Sequence, residues 1–515
     1  MLCCEGARGN QVPSYVPATR RINKQAVALN KKEATMQTKK RDLAEIILRN
    51  TIFMTVAGWI LKLANFFYLI VVIRLLGEHG YGQYATVLAF VGMFGVFFEL
   101  GMTQYVERSL ARGEGTIRDL LGNLIALRLL LALAALLVLP PVALLFGYEP
   151  ILITGVLIYT GIFVLAAFLM PLISILNASE RFDAVASLQV RSQLLGIGAG
   201  LTVLLLGSGF LGLLWVGYLV LPLQILMTLQ SIRRLGIGPL QVKLQVREWP
   251  LLLKAGVPFG LTSLALTFNF HADTVILSAL RSSSEVGWYS AAYGLIFKLV
   301  AIADGLLLTM TPSLAREHIT DPERVRVWTS ETVTWLLFFG LPAAVGLSIL
   351  GTPIAILLFG ESFGPSGPVL MLIAWDIPLL LFTAFCGSTA VAVGLEWPAA
   401  AIYLVSTTLN IILNLIFIPM YGIMAAAAIT VFTDGVSAIL FLWLLGGRMQ
   451  FTRIASRMFR IVVASAIMGL AVLLMSGFNL FVAMFTGVFV YGVLALALRL
   501  IDQQQLRQGI AKFRK

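Results

Sequence analysis

The sequence predicts an all-α polytopic membrane protein with about fourteen transmembrane helices. Two six-helix lobes related by a parallel internal repeat are followed by two further helices. Three observations carry this reading. Of the 515 residues, 59% are hydrophobic and only 12% charged, with a mean hydropathy of +0.92, outside the range of soluble domains. Apolar runs of about 20 residues, long enough to cross a hydrocarbon core of roughly 30 Å, recur between residues 52 and 500, and the alternating pattern of a membrane β-barrel is absent. The chain also repeats itself. The stretch VVIRLLGEHGYGQYATVLAFVGMFGVFFELGMTQYVERSLAR from Val71 aligns with VILSALRSSSEVGWYSAAYGLIFKLVAIADGLLLTMTPSLAR from Val275 almost without gaps. Gly82-Gln83-Tyr84 falls opposite Gly287-Trp288-Tyr289, and Ser109-Leu110-Ala111-Arg112 opposite Ser313-Leu314-Ala315-Arg316.

Taken in order, residues 1–50 are polar and basic and read as a disordered cytoplasmic extension, without the apolar core and cleavage site of a signal peptide. The N-terminal lobe, 51–230, holds spans near 52–76, 83–105, 120–146, 150–176, 183–206 and 210–230. A basic linker, 231–253, leads to the C-terminal lobe, 254–447, with spans near 254–280, 287–311, 329–358, 367–393, 398–419 and 424–446. Residues 448–500 hold a last pair near 458–476 and 479–499, and 501–515 form a cytoplasmic tail. Loop charge supports the layout. Arg108, Arg112, Arg118, Arg181, Arg233, Arg234, Lys243, Arg316, Arg324, Arg448 and Arg453 fall in alternate loops, whereas GYEP, GSGF, MYG and SGFN are short and nearly uncharged. The positive-inside rule then places both termini in the cytoplasm.

The repeat continues beyond its opening pair, PPVALLFGYEP at the end of the third span matching TPIAILLFGES at the end of the ninth. An even number of spans per copy gives both copies one orientation, about an axis along the membrane normal. Such a duplication is the plan of a transporter with its site between the halves.

The net charge of +12 reflects tails and loops, so nucleic acid is not an expected partner. Cys3, Cys4 and Cys386 offer neither a disulfide framework nor a metal spacing. No phosphate-cradling loop, nucleophile elbow or metal-ligand cluster occurs, so no cofactor is expected and any transport runs on an ion gradient or on downhill flow.

Polar groups inside a span cost a few kcal/mol near the bilayer centre unless paired or wetted. Lys62, Glu99, Arg128 and Arg191 fall inside N-terminal spans. His271, Asp273, Lys298, Asp304, Asp376 and Asp434 fall inside C-terminal ones, with Asn410 and Asn414 as uncharged companions. In one reading Lys62, Arg128, Arg191 and Lys298 line a hydrated cavity and hold an anionic substrate, while Asp273, Asp376 and Asp434 serve a coupling ion or proton. In the other, the charges pair locally and fix helix packing, Asp273 with Lys298 being one compatible pair.

The segment IRLLGEHGYGQYA resembles the R-L-L-G-x-x-x-[FY]-G-x-[FY] segment of Wzx-type polysaccharide flippases, the polysaccharide transporter branch of the MOP exporter superfamily. ADTVILSAL with VGWYSAAYGLI resembles their seventh-to-eighth span, and LNIILNLIFIPMYGIMAAAAITVFTDGVSAIL their most specific later stretch. The resemblance spans about 48–450. It implies a V-shaped, MATE-like pair of lobes moving an undecaprenyl-diphosphate-linked oligosaccharide across the bacterial cytoplasmic membrane by alternating access, coupled to H+ or Na+. It implies polysaccharide polymerase and chain-length regulator partners. The last two helices resemble those of the lipid II flippase branch, where they form a lipid groove, but their own composition says only that they are two apolar helices. Alternatives are a multidrug cation antiporter of the same superfamily, a lipid II flippase and, least supported by the short loops, a membrane glycan polymerase.

Overall fold

The computed structural model describes residues 19–99, 101–111, 117–179, 181–236, 244–301, 322–498 and 500, with side chains from Gly58 onward. The chain divides into Met1–Ala57 and Gly58–Lys515. The described part of the first unit is one stretch of helix from Thr19, where the sequence reading expects an unstructured extension. The Ala, Leu, Lys and Gln that fill it give up little rotamer freedom in a helix.

In chain order the helices are α1 (Thr19–Glu99), α2 (Met102–Ala111), α3 (Ile117–Leu145), α4 (Pro150–Ala178), α5 (Phe182–Leu205) and α6 (Gly209–Arg234). There follow α7 (Trp249–Leu280), α8 (Ser283–Ala301), α9 (Pro322–Phe359), α10 (Ser366–Ile373), α11 (Asp376–Ala392), α12 (Glu396–Tyr421) and α13 (Ile423–Leu445). The last pair is α14 (Phe451–Met475) and α15 (Leu480–Ala497). Among the described residues there is no strand.

Among the described residues eleven helices are long and apolar enough to cross a membrane, or twelve with the bent pair α10–α11 counted as one span. Fourteen were expected, and two places account for the difference. The first two expected spans are continuous in α1, broken by Gly77, whose φ of 66° and ψ of 177° only glycine adopts readily. The eighth expected span, 287–311, is described only as far as Ala301. The 44° break between α10 and α11 has a local cause. The Pro378 ring conflicts with the Ala374 carbonyl four residues earlier, and that carbonyl accepts instead from Ile377 N at 3.1 Å.

Each half packs the end of its first span into the other half. Val72 and Ile73 of α1 belong to the largest buried cluster, built mainly by α8 to α13. Val275 of α7 belongs to the N-terminal cluster of Val87, Phe90, Val156 and Phe210. The last two helices pack on α9 through Leu350, Met468, Val472 and Ala483, with the Tyr491 hydroxyl donating to the Phe338 carbonyl at 2.7 Å. Between them lies an apolar groove of about 460 Å³. Close approach there depends on small residues, as is usual between helices in lipid: a Cβ on Gly469 would stand 2.7 Å from Val345.

Candidate functional site: two chambers between the halves

The two halves meet at a pair of glycines that the repeat places opposite each other. A Cβ on Gly82 would collide with the carbonyl of Ser283, four residues before Gly287. A Cβ on Gly287 would collide with the carbonyl of Glu78, four residues before Gly82. The contact is therefore reciprocal, backbone against backbone, and each half supplies the same element. Flanking bonds follow the same rule. Arg74 of α1 donates Nε to the Leu358 carbonyl at 2.7 Å and Nη2 to the Leu357 carbonyl, capping the last turn of α9 and placing a cation at the negative end of that helix. Ser278 of α7, the repeat counterpart of Arg74, bonds Tyr148 beyond the end of α3 at 2.6 Å.

At the other end of the molecule, α2 closes on the start of α7. Met102 and Val106 are buried with Leu124, Leu127 and Leu252. Asn123 of α3 accepts from Gln245 N at 2.7 Å and Trp249 Nε1 at 3.4 Å, so the end of the linker is docked on the N-terminal half. Linker residues 237–243 lie outside the described residues.

Two chambers lie between these closures. The first, about 470 Å³, is lined by Gly95, Glu99, Arg128, Phe163, Ser263 and Thr267 among others. Arg128 projects from α3, donating Nη1 to Glu99 Oε1 at 3.3 Å and to Thr103 Oγ1. Its side chain is 10% exposed and that of Glu99 47%. The arginine is thus held in place by a carboxylate that is itself only half-buried.

The second chamber, about 500 Å³, is walled by aromatic residues from both halves, including Tyr68, Tyr84 and Tyr293, with Asn65, His271 and Lys298 among its polar groups. His271 separates the chambers, its ring packed on Gly92, where a Cβ would stand 3.0 Å from Nε2. Lys298 of α8 is half-buried at this wall and forms no ion pair with Asp273, so that expected pairing does not occur. Asp273 is satisfied by neutral donors instead.

The expected cations thus separate. Arg128 and Lys298 line chambers, while Lys62, half-buried on α1, and Arg191 line neither. Arg191 is exposed on α5, where its long side chain reaches outward rather than into the interior. A position ten residues into a helix says nothing of which face it occupies when the helix is apolar all round.

The carboxylates lie together in the C-terminal half. Asp273 is 3% exposed. Its Oδ2 accepts from Tyr289 Oη at 2.8 Å and Thr430 Oγ1 at 2.6 Å, and its Oδ1 from Asn414 Nδ2 at 2.5 Å. Asn414 also donates to Asn410 Oδ1 at 2.9 Å. Four helices converge here: α7, α8, α12 and α13. Sequence reasoning marked Asp273, Asn410 and Asn414 but missed Tyr289 and Thr430. The available signal for Tyr289 was its alignment with Tyr84, a chamber residue. Tyr289 stacks on Tyr293 with ring centres 5.9 Å apart, which links this buried cluster to the wall of the second chamber. Asp376 and Asp434 are also buried, while Asp304 lies outside the described residues. Among the described residues no group of acidic, histidine and cysteine side chains has the arrangement of a metal centre.

Comparison with known proteins adds to this geometry. Residues 47–313, over half of the chain, match the family model described as polysaccharide biosynthesis protein. The chain belongs to that family. It is also similar to the probable low-salt glycan biosynthesis flippase Agl15 of Haloferax volcanii, 23% identical over 251 residues, 48% of this chain and 52% of that protein. The chain thus spans about half the length of this curated relative. Among solved structures, lipid II flippase MurJ in an inward closed conformation superposes with a TM-score of 0.72 at 17% identity, covering 87% of this chain and 99% of MurJ. An inward-facing multidrug resistance MATE family transporter of the MOP superfamily gives 0.60 at 15% identity, covering 77% and 95%. The expected all-α membrane fold is met, and that fold is shared by transporters with different cargoes.

Proposed function

We propose that this protein flips a lipid-linked glycan across the bacterial cytoplasmic membrane by alternating access, without catalysing a reaction on it. The observation that carries the reading is Arg128, a preorganised arginine facing a chamber between two repeat-related halves, in a chain of the polysaccharide biosynthesis family. A lipid-linked glycan joins prenyl chain to sugar through phosphate, and buried phosphate requires a cation partner. Arg128 meets that need, and the tyrosine-lined second chamber presents aromatic faces and hydroxyls to a sugar. Each chamber falls within the roughly 300–1,000 Å³ that holds a small polar ligand, enough for a headgroup and the first sugars. The prenyl chain stays in the bilayer, with the apolar groove beside α14 and α15 as its resting surface. The cargo is an undecaprenyl-diphosphate-linked repeat unit for surface polysaccharide such as O-antigen, handed on to a polymerase and chain-length regulator. Asp273 carries the coupling H+ or Na+, and both termini face the cytoplasm, as the basic loops indicate.

The test is deletion of the gene in its native host, followed by assay of surface glycan and of the leaflet holding lipid-linked oligosaccharides. Loss of surface polymer with intact units trapped on the cytoplasmic leaflet is expected. Normal glycan with new sensitivity to cationic drugs would overturn the reading in favour of a drug exporter, and arrest of peptidoglycan synthesis in favour of a lipid II flippase.

A further inference from the structure

The polar groups of the second chamber differ from those around Asp273 in having nothing to bind. Around Asp273, the donors Tyr289, Asn414 and Thr430 are all turned to acceptors within the protein. In the chamber, among the described residues, Asn65, the hydroxyls of Tyr68, Tyr84 and Tyr293, and Lys298 make no hydrogen bond to protein. Ser290 of α8 also lines this wall, is 9% exposed, and its buried Oγ has no hydrogen-bond partner. A buried hydroxyl without a partner is costly, and a ligand oxygen in the chamber would remove that cost. Ser290, Gly294 and Lys298 stand four residues apart and so share one face of α8. The two polar positions lie about 12 Å apart along the helix axis. Gly294 between them lets α1 come close, since a Cβ there would stand 3.6 Å from Tyr81 Oη and 3.7 Å from Leu69.

Charge narrows the ligand further. Lys298 is half-buried and forms no ion pair among the described residues, and no carboxylate lines this chamber. Arg128 in the first chamber, by contrast, is matched by Glu99. A lone ammonium within the membrane calls for one negative charge. A diphosphate carries more than one, and its arginine partner lies beyond His271, whose ring packs on Gly92 between the chambers. Aromatic walls with a few polar groups suit a small hydroxylated ring. We propose that the second chamber is a subsite for an acidic sugar, a uronic acid residue, with Lys298 paired to its carboxylate and Ser290 bonded to a ring hydroxyl. A neutral sugar leaves the ammonium unpaired, so the chamber selects by charge as well as by shape. That this acidic sugar belongs to a lipid-linked cargo rests on the flippase reading; the subsite itself follows from the chamber.

The test uses the full-length protein in lipid nanodiscs and calorimetric titration with three soluble probes: cellobiose, the disaccharide of glucuronic acid on glucose, and inorganic pyrophosphate. The wild type should bind the acidic disaccharide roughly 10-fold or more tightly than cellobiose, the share of a charge-assisted hydrogen bond. Lys298→Gln should abolish that preference and Lys298→Arg retain most of it. Ser290→Ala should weaken both disaccharides by about 2- to 10-fold and keep their ratio; unchanged affinities would overturn its place in the subsite. Equal affinities in the wild type, no binding of the acidic disaccharide, or a preference that survives Lys298→Gln would overturn the proposal. Pyrophosphate should lose more affinity in Arg128→Gln than in Lys298→Gln, and the reverse order would make Lys298 a phosphate ligand instead. A readout that needs no variant is acylation of Lys298 by an amine reagent, followed by mass spectrometry. The acidic disaccharide should protect Lys298 where cellobiose does not, and absence of protection would also overturn the proposal. Failure of the flippase reading shows in the host, whereas failure of this subsite shows in the titration.

Discussion

Replacing Gly82 with alanine should prop the two halves apart. The added methyl would lie 2.7 Å from the Ser283 carbonyl carbon, closer still to its oxygen, and 2.9 Å from Gly287 N. Ordinary contact begins at 3.4 Å, so even the carbon contact is about 0.7 Å too short, and the obstacle is backbone that cannot rotate away. Overpacking of this kind costs about 1–3 kcal/mol. Because the strain exists only while the glycines touch, the whole cost falls on the closed state, which shifts its equilibrium toward opening by about 5- to 150-fold. Spin labels at Glu149 and Glu361, exposed on the loops of opposite halves, would report the change as a longer distance distribution in nanodiscs. Gly198→Ala is the control, since a Cβ there meets nothing within 4 Å. An unchanged distribution in Gly82→Ala with an unchanged melting temperature would refute the reasoning. A fall in melting temperature without a distance change would assign the contact to folding instead of gating.

Other predictions concern the chambers. Arg128→Gln should lower surface glycan at normal protein level by roughly 10-fold or more, since charge-assisted hydrogen bonds carry about 1.5–3 kcal/mol each, whereas Arg191→Gln should change it less than about twofold. Equal effects of the two, normalised to membrane protein level, would show that burial in a chamber is not what matters. Asp273→Asn should fold and abolish the dependence of flipping on an imposed proton or sodium gradient; gradient-dependent flipping in that variant would move the coupling site elsewhere. Tyr289→Phe removes one donor from Asp273 and should cost about 1.5–3 kcal/mol, read as a lower melting temperature. Tyr148→Phe breaks the bond to Ser278 and should give a smaller opening than Gly82→Ala in the same spin-label assay, and no opening at all would exclude this bond from the gate.

Much of this was legible in the sequence. Helix class, approximate span positions and the two-fold repeat follow from hydropathy and self-similarity. The aligned Gly82 and Gly287 then prove to be where the copies touch. What was not legible is which face of each helix looks inward. In a soluble protein a polar stripe marks the outer face, but helices hydrophobic all round give no such stripe. Arg128 and Arg191 therefore look alike in sequence, yet one faces a chamber and the other does not. The partners of Asp273 were hidden for a related reason. Thr430 and Tyr289 are common residues in apolar helices, and only the convergence of α7, α8, α12 and α13 makes them a cluster. The bend in the α10–α11 span, by contrast, is readable from Pro378.

The reciprocal glycine contact has a bearing on ancestry. If the two halves were separate six-helix chains, the same contact would be an isologous interface, residue for residue, holding a symmetric dimer. Symmetry of that kind forbids specialisation, because every substitution appears twice. Fusion into one chain removes the restriction while leaving the axis in place. The backbone-to-backbone junction has kept its symmetry, since no side chain there is free to vary. The walls have diverged, with Arg128 in the N-terminal half and Asp273, Asp376 and Asp434 in the C-terminal half. The axis thus relates two backbones that remain alike while the charged groups set on them no longer match.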